Sequence, residues 1–448
     1  MNSSFKKTIH GLCADEINIK CNEDFNDMCL IRALKCFQDN DFIKFSNKVH
    51  SIAQKRNNGA EMILLNNEII FSIKQIFTNY REIENYQSVL ILLLRAISKL
   101  WHRKSLFDKN IYRKDIFKRI IMFLPTDFSN EYMYIETLTC ICYFIQSEEN
   151  ATFLIEKGTI NLLTLFIQAN DLGYSTLLIC FFNLLSRLYK YLLRRNYYII
   201  YDFTFFFIAK TFDLVFYSLI ECKRLLKIIS YIVQEKQGYT RLKSTSFFDY
   251  FFTICEIFKC DIVKFSAIIL NQIIKYDNGA VPNIEKLYNS CAYLIQNEMH
   301  FLHWLKNWPY LCRFLRTSIK FYCKAVFDAG LVDLMKQMFY DDHNYILKIE
   351  SISCYCAYLI YVTNDDFLKE IANMNLHMFL EFLEDDPLNR SSKWILKVFI
   401  RMIKLGEMDN NLANDLNHLF LEMENQYLHN QKIDNMIQYI KIKFKNIY

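Results

Sequence analysis

The stretch Glu149–Arg195, ENATFLIEKGTINLLTLFIQANDLGYSTLLICFFNLLSRLYKYLLRR, decides the fold. Its apolar residues first cluster as Phe153, Leu154, Ile160, Leu162, Leu163, Leu165 and Phe166, on both sides of Gly158. They then recur at three- and four-residue steps through Leu177, Phe181, Leu184, Leu188 and Leu192, the pattern of a buried helix face. Gly158 allows a sharp turn between the first two runs because glycine carries no Cβ. The stretch predicts a short helix to Lys157, a second helix over Thr159–Asn170, a break at Asp171–Gly173 and a long third helix from Tyr174. It contains no catalytic motif.

With Gly158 as phase marker, similar junctions fall near Asn67, Lys114, Asp202, Thr245, Ser290, Gly330 and Met374. The successive spacings are 47, 44, 44, 43, 45, 40 and 44 residues. A period in the low forties with two or three helices per unit is the signature of stacked helical repeats. The clearest second copy is Phe321–Val362: FYCKAVFDAGLVDLMKQMF supplies two helices, Asp341–Asn344 the break, and Tyr345 onward the third.

On these residues the chain resembles the armadillo-repeat family, which includes the importin-α nuclear-import adaptors and the catenins. The resemblance is carried by the units around Gly158 and Gly330, with six fainter units extending it over roughly residues 28–405. It implies an all-α, armadillo- or HEAT-like right-handed superhelical solenoid of about eight repeats, with a partner held along the concave surface. In that family the third helix lines the inner wall, and peptide-binding members place an Asn there with a Trp four residues earlier. Asn183 matches in NLLS, with Ile179 in the Trp position. Asn271 in ILNQII matches two periods later, with Ala267 before it. Lys227 takes the intervening place, and Tyr143 and Ala357 take it in flanking units. An amide on such a wall can donate to and accept from a peptide backbone at once. Importin-α-like proteins would carry an Arg/Lys-rich N-terminal segment, whereas residues before Asn26 offer only Lys6, Lys7 and Lys20.

Composition agrees with a helical array. A chain of 448 residues exceeds the roughly 250–300 at which one compact core stops growing. Hydrophobic residues make up 52%, while 8 Gly and 4 Pro are too few for the tight turns of an all-β fold. Residues 1–26 read as a flexible arm, 27–405 as the repeat array and 406–448 as a C-terminal helical cap. Gly279, Pro282 and Pro309 are expected to interrupt helices between Asp277 and Pro309. The 15 cysteines show no CxxC, and Cys140/Cys142 and Cys354/Cys356 point about 200° apart on a helix, so buried reduced thiols are expected. Neither a signal peptide nor a membrane span is visible, since Ser175–Leu185 and Phe203–Ala209 are too short to cross a bilayer. A cytoplasmic or nuclear protein is the expectation.

The formal net charge is only +5, but it is unevenly spread. Phe181–Lys243 holds eleven Lys/Arg against four Asp/Glu, and Asp341–Leu388 holds two against ten. The basic set Arg187, Lys190, Arg194, Arg195, Lys223, Arg224 and Lys227 suits an acidic or phosphorylated protein segment better than nucleic acid, which favours a more basic domain. His300 and His303 near Glu298 lack the surrounding spacing of a metal motif. No glycine-rich phosphate loop or nucleophile elbow occurs. No catalytic residue, metal or cofactor is therefore assigned. The function expected is a protein-binding scaffold or adaptor using Asn183, Arg187, Lys190, Lys223, Lys227 and Asn271. The alternatives are a cargo binder like the import adaptors, a regulatory subunit of an enzyme complex, and more remotely a nucleic-acid binder.

Overall fold

The computed structural model describes residues 28–55, 60, 63–102, 110–124, 131–169, 172, 176–215, 219–256, 261–281, 283–297, 301–340, 345–372, 377–385, 391–406, 414–416, 418–420 and 431–445. The chain divides into two compact units, Met1–Ile228 and Ile229–Tyr448. Both are helical, with no strand among the described residues. No helix among those residues is long and apolar enough to cross a membrane.

In the first unit residues 28–38 are helical. There follow α1 (Phe42–Gln54), α2 (Asn67–Asn79), α3 (Tyr86–His102), α4 (Asn110–Ile121), α5 (Glu131–Phe144), α6 (Glu148–Glu156), α7 (Thr159–Ala169), α8 (Thr176–Tyr191), α9 (Tyr198–Val215) and α10 (Leu219–Ile232), of which residues 219–228 belong here. Helices α1, α3, α5 and α8 pack one on the next as a first row. A second row pairs α2 with α4 and α7 with α9. Aromatic rings fill the space between the rows: Phe144 stacks on Phe117 at 3.9 Å between centroids and meets Trp101 edge-on at 5.5 Å. All three rings are essentially inaccessible to solvent, so each adds about 1.5–3 kcal/mol of apolar burial.

In the second unit the order is α11 (Lys236–Lys243), α12 (Phe247–Glu256), α13 (Val263–Tyr276), α14 (Ile284–Asn297), α15 (Phe301–Asp328), α16 (Leu331–Tyr340), α17 (Tyr345–Tyr361), α18 (Asn364–Ala372), α19 (His377–Asp385), α20 (Ser392–Leu405) and α21 (Gln431–Lys445). Here α13, α15, α17, α20 and α21 form the first row, and α12, α14 and α16 the second.

Hydrogen bonds between neighbouring helices of a row carry the period directly. Arg95 reaches Glu136 across 41 residues, Arg187 the Cys142 carbonyl across 45, Trp308 the Ser351 hydroxyl across 43 and Arg401 the Leu359 carbonyl across 42. In the second row Lys74 reaches Asp115 across 41. Neighbours in space are thus neighbours by one period in sequence.

The two marker glycines occupy equivalent turns. Gly158 has φ 69° between α6 and α7, and Gly330 has φ 71° between α15 and α16. Their N–H groups donate to the carbonyls of Ile155 at 2.9 Å and Phe327 at 2.8 Å, closing the preceding helix. No heavy atom lies within 4 Å of a Cβ built at either position, so left-handed backbone alone demands glycine there. Gly158→Ala and Gly330→Ala are therefore each expected to cost about 1–2 kcal/mol. Gly279 has φ 93° and a Cβ there would sit 2.7 Å from Phe321 Cγ, so Gly279→Ala should lower the thermal midpoint further than either. Equal losses at all three positions would contradict this ranking.

Several expected junctions are corrected. Asn67 opens α2 and Thr245 lies in the turn between α11 and α12, but Lys114, Asp202 and Ser290 fall inside α4, α9 and α14. Those helices contain no glycine or proline, and the apolar run of α9, YIIYDFTFFFIAKTFDLV, continues through Asp202 as one helix. Such units have two helices where the Gly158 unit has three. Met374, Pro282 and the breaks at Asp171 and Asp341–Asn344 lie outside the described residues. Pro309 does not interrupt a helix; it lies within α15, whose one non-helical residue is Tyr322 at φ −135°, ψ 36°. That kink is tied to the Gly279 turn, since the Tyr322 hydroxyl donates to the Gly279 carbonyl and accepts from Val281 N–H at 3.2 Å.

The cysteines described are free thiols, eight of them buried. Burial pushes Cys222 up to about 11 and Cys291 up to about 12. At neutral pH they remain protonated and serve as small apolar side chains.

Candidate functional site

Helices α5, α8 and α10 of the first unit line an open cavity of about 360 Å³. Thr139, Cys142 and Tyr143 of α5 enter it, with Cys180, Asn183, Ser186 and Arg187 of α8 and Lys227 of α10. The positions aligned by period, Tyr143, Asn183 and Lys227, therefore share one wall. The helical spacing explains this: Asn183 and Arg187 are four residues apart and lie on one face, while Phe181, Phe182, Leu184 and Leu185 turn into the core.

Asn183 is exposed and its amide makes no hydrogen bond among the described residues. It can offer both donor and acceptor to a visiting backbone. Lys227 is half-buried at the cavity. Burial raises the Cys142 thiol to about 11 although Arg187 and Lys227 pull it down, so this sulfur is not a thiolate nucleophile at neutral pH.

Arg187 has a structural task. Its Nη1 donates to the carbonyls of Cys142 at 3.2 Å and Ile145 at 3.4 Å, and its guanidinium lies 4.6 Å from the Tyr143 ring centroid. It thereby satisfies carbonyls at the end of α5 that have no partner within the helix. Arg401 repeats the device in the second unit, donating to Leu359 and Val362 at the end of α17 at 2.5 and 2.6 Å and lying 4.4 Å from the Phe367 ring. The cavity-lining Arg187 thus also holds the end of α5.

Lys190 is exposed one turn beyond, its ammonium 5.1 Å from the Tyr191 ring. Lys223 is half-buried on α10 and does not line the cavity. Arg194 and Arg195 are exposed in a 3-10 turn. Asn271 belongs to the second unit and is only 4% exposed, so it does not stand on an open wall. Its neighbours Leu270, Ile273 and Ile274 are buried, and α15 packs along α13. Its Oδ1 has no hydrogen-bond partner among the described residues. Ala357 is likewise fully buried. Glu298, His300 and the His303 side chain lie outside the described residues, and Trp308 is fully buried.

The acidic stretch is partly occupied by internal pairs. Glu350 lies 3.0 Å from Arg316 and Glu370 lies 2.6 Å from Lys336.

A second cavity, about 460 Å³, opens in the second unit and escaped the sequence reading. Lys275 of α13, Arg313, Arg316 and Lys320 of α15, and Lys393 of α20 line it. Asn278 joins them from the turn after α13, where it and Gly279 both have positive φ. The available signal was Lys275 and Arg316 on first-row helices about one period apart, but Lys393 comes from far along the chain and no local charge run marks the set.

No family model matches this sequence, and no curated protein matches it either. Among solved structures the chain is similar to the crystal structure of an engineered protein, with TM-score 0.67 and 12% identity. That match covers 93% of this chain and 99% of the other. The likeness is one of all-helical fold.

Proposed function

We propose that the chain is a protein-interaction scaffold or adaptor, and that the paired rows of helices in each unit are turns of an armadillo-like solenoid. The partner is an acidic or phosphorylated protein segment laid along α5, α8 and α10. The observation that carries this reading is the convergence of Tyr143, Asn183 and Lys227, separated by 40 and 44 residues, on one open cavity. A periodic wall suits an extended segment, because the Asn183 amide can grip its backbone while cations steer and hold its acidic groups. Work in the cytoplasm or nucleus fits such a role.

The test is affinity purification with mass spectrometry, followed by binding measurements on the purified partner. A variant combining Asn183→Ala, Lys190→Glu, Lys223→Glu and Lys227→Glu is expected to lose about 1–3 kcal/mol, roughly 5- to 150-fold in affinity. Arg187 is kept, because its reversal would set an anion against the end of α5. Undiminished binding by a folded variant at low salt would end the proposal.

A further inference from the structure

We infer that the cavity of the second unit is a binding site for a compact polyphosphate, a ligand carrying several phosphate groups on one small scaffold. Five cationic side chains, Lys275, Arg313, Arg316, Lys320 and Lys393, line it, and no carboxylate of the described residues does. Arg316 pairs with Glu350, and the other four have no acidic partner among the described residues. Gathering like charges around one cavity opposes folding, and such a local conflict marks a functional site. Burial and the nearby Arg313 both pull the Lys275 ammonium pKa below its ordinary value, as expected of a cation facing a cation.

The size of the cavity selects among anions. About 460 Å³ falls within the range of small-molecule pockets. An extended acidic peptide offers one carboxylate on a given face only every ~6.5 Å, too sparse to meet five cations at once. Each phosphate brings about −1.5 to −2 charges and three acceptor oxygens, and arginine forks match that geometry. Thr317 adds a hydroxyl and Asn278 an amide. Trp394, with Lys393 and Lys397 at 5.8 and 4.7 Å from its ring centroid, joins exposed Tyr361 and Phe321 as an aromatic border that holds the lysines in place. This site is independent of the protein-binding wall of the first unit.

The same clustered phosphate could come from a soluble inositol polyphosphate or a phosphoinositide headgroup, and two probes separate these sources. Inositol hexakisphosphate is titrated calorimetrically into the full chain, and phosphatidylcholine vesicles doped with phosphatidylinositol bisphosphate are used in flotation. Saturable binding of either probe is expected, weakened about tenfold or more by Lys320→Gln with Lys393→Gln. The Lys190→Glu, Lys227→Glu variant of the first unit should bind the probe as the parent does, which separates failure here from failure of the scaffold reading. Bound probe should also raise the thermal midpoint of the unsubstituted chain. Absence of binding by both probes, or binding unaffected by the Lys320/Lys393 pair, overturns the inference. So does tighter binding of a phosphopeptide or a short single-stranded oligonucleotide through the same lysines.

Discussion

Trp308→Ala is expected to destabilise the second unit by about 3–5 kcal/mol, among the largest effects of any single substitution in the chain. The indole is fully buried in α15, and its Nε1–H donates to Ser351 Oγ of α17 at 2.8 Å. Ser351 in turn donates to the Leu347 carbonyl at 2.8 Å, so its hydroxyl serves both its own helix and the neighbouring repeat. Deleting the ring opens a cavity at the interface between successive first-row helices and removes the bond that crosses it. Trp308→Phe keeps most of the burial and should lose less, about 1–2 kcal/mol. Chemical unfolding followed by circular dichroism reads both. A loss below about 1 kcal/mol for Trp308→Ala would show that the α15–α17 interface is not a cooperative contact.

Arg316→Met should be comparably costly. Arg316 Nη1 lies 3.0 Å from Glu350 Oε2, with side chains only 14% and 5% exposed. Removing the guanidinium leaves the Glu350 carboxylate buried without this cation, which typically costs about 3–5 kcal/mol. Replacing both partners by apolar residues, Arg316→Met with Glu350→Leu, removes the stranded charge and should restore most of the loss. The unfolding midpoints of the two single variants and the double variant form a mutant cycle. A double variant no more stable than Arg316→Met would contradict the account of this pair.

How far the sequence could be read follows from which signals are local. Gly158 and Gly330 were legible because a left-handed turn between apolar helices needs glycine, and both prove to have φ near 70°. The row of third helices was legible through its apolar face, which left Tyr143 and Asn183 pointing away from the core. Asn271 departs from the expectation because the same spacing says nothing of how deeply a position is buried; its amide is buried where that of Asn183 is open. Arg187 looked like surface charge because its task is to cap a helix 45 residues earlier. Lys114, Asp202 and Ser290 match the period in phase alone, and the helices run through all three because no glycine or proline ends them there. The five cations of the second cavity were invisible for a related reason: three segments far apart in sequence deliver them, and only packing brings them together.

Lysine acylation of the chain with and without its purified partner tests the central claim most directly, namely that α5, α8 and α10, with equivalent positions about one period apart, form the binding wall. Lys190, Lys223 and Lys227 are expected to lose reactivity in the complex. Exposed Lys157, just beyond α6, and exposed Lys210, on second-row helix α9, should react as before. Protection of Lys157 and Lys210 with unchanged reactivity at Lys190 and Lys227 would place the partner on the opposite row and contradict the account.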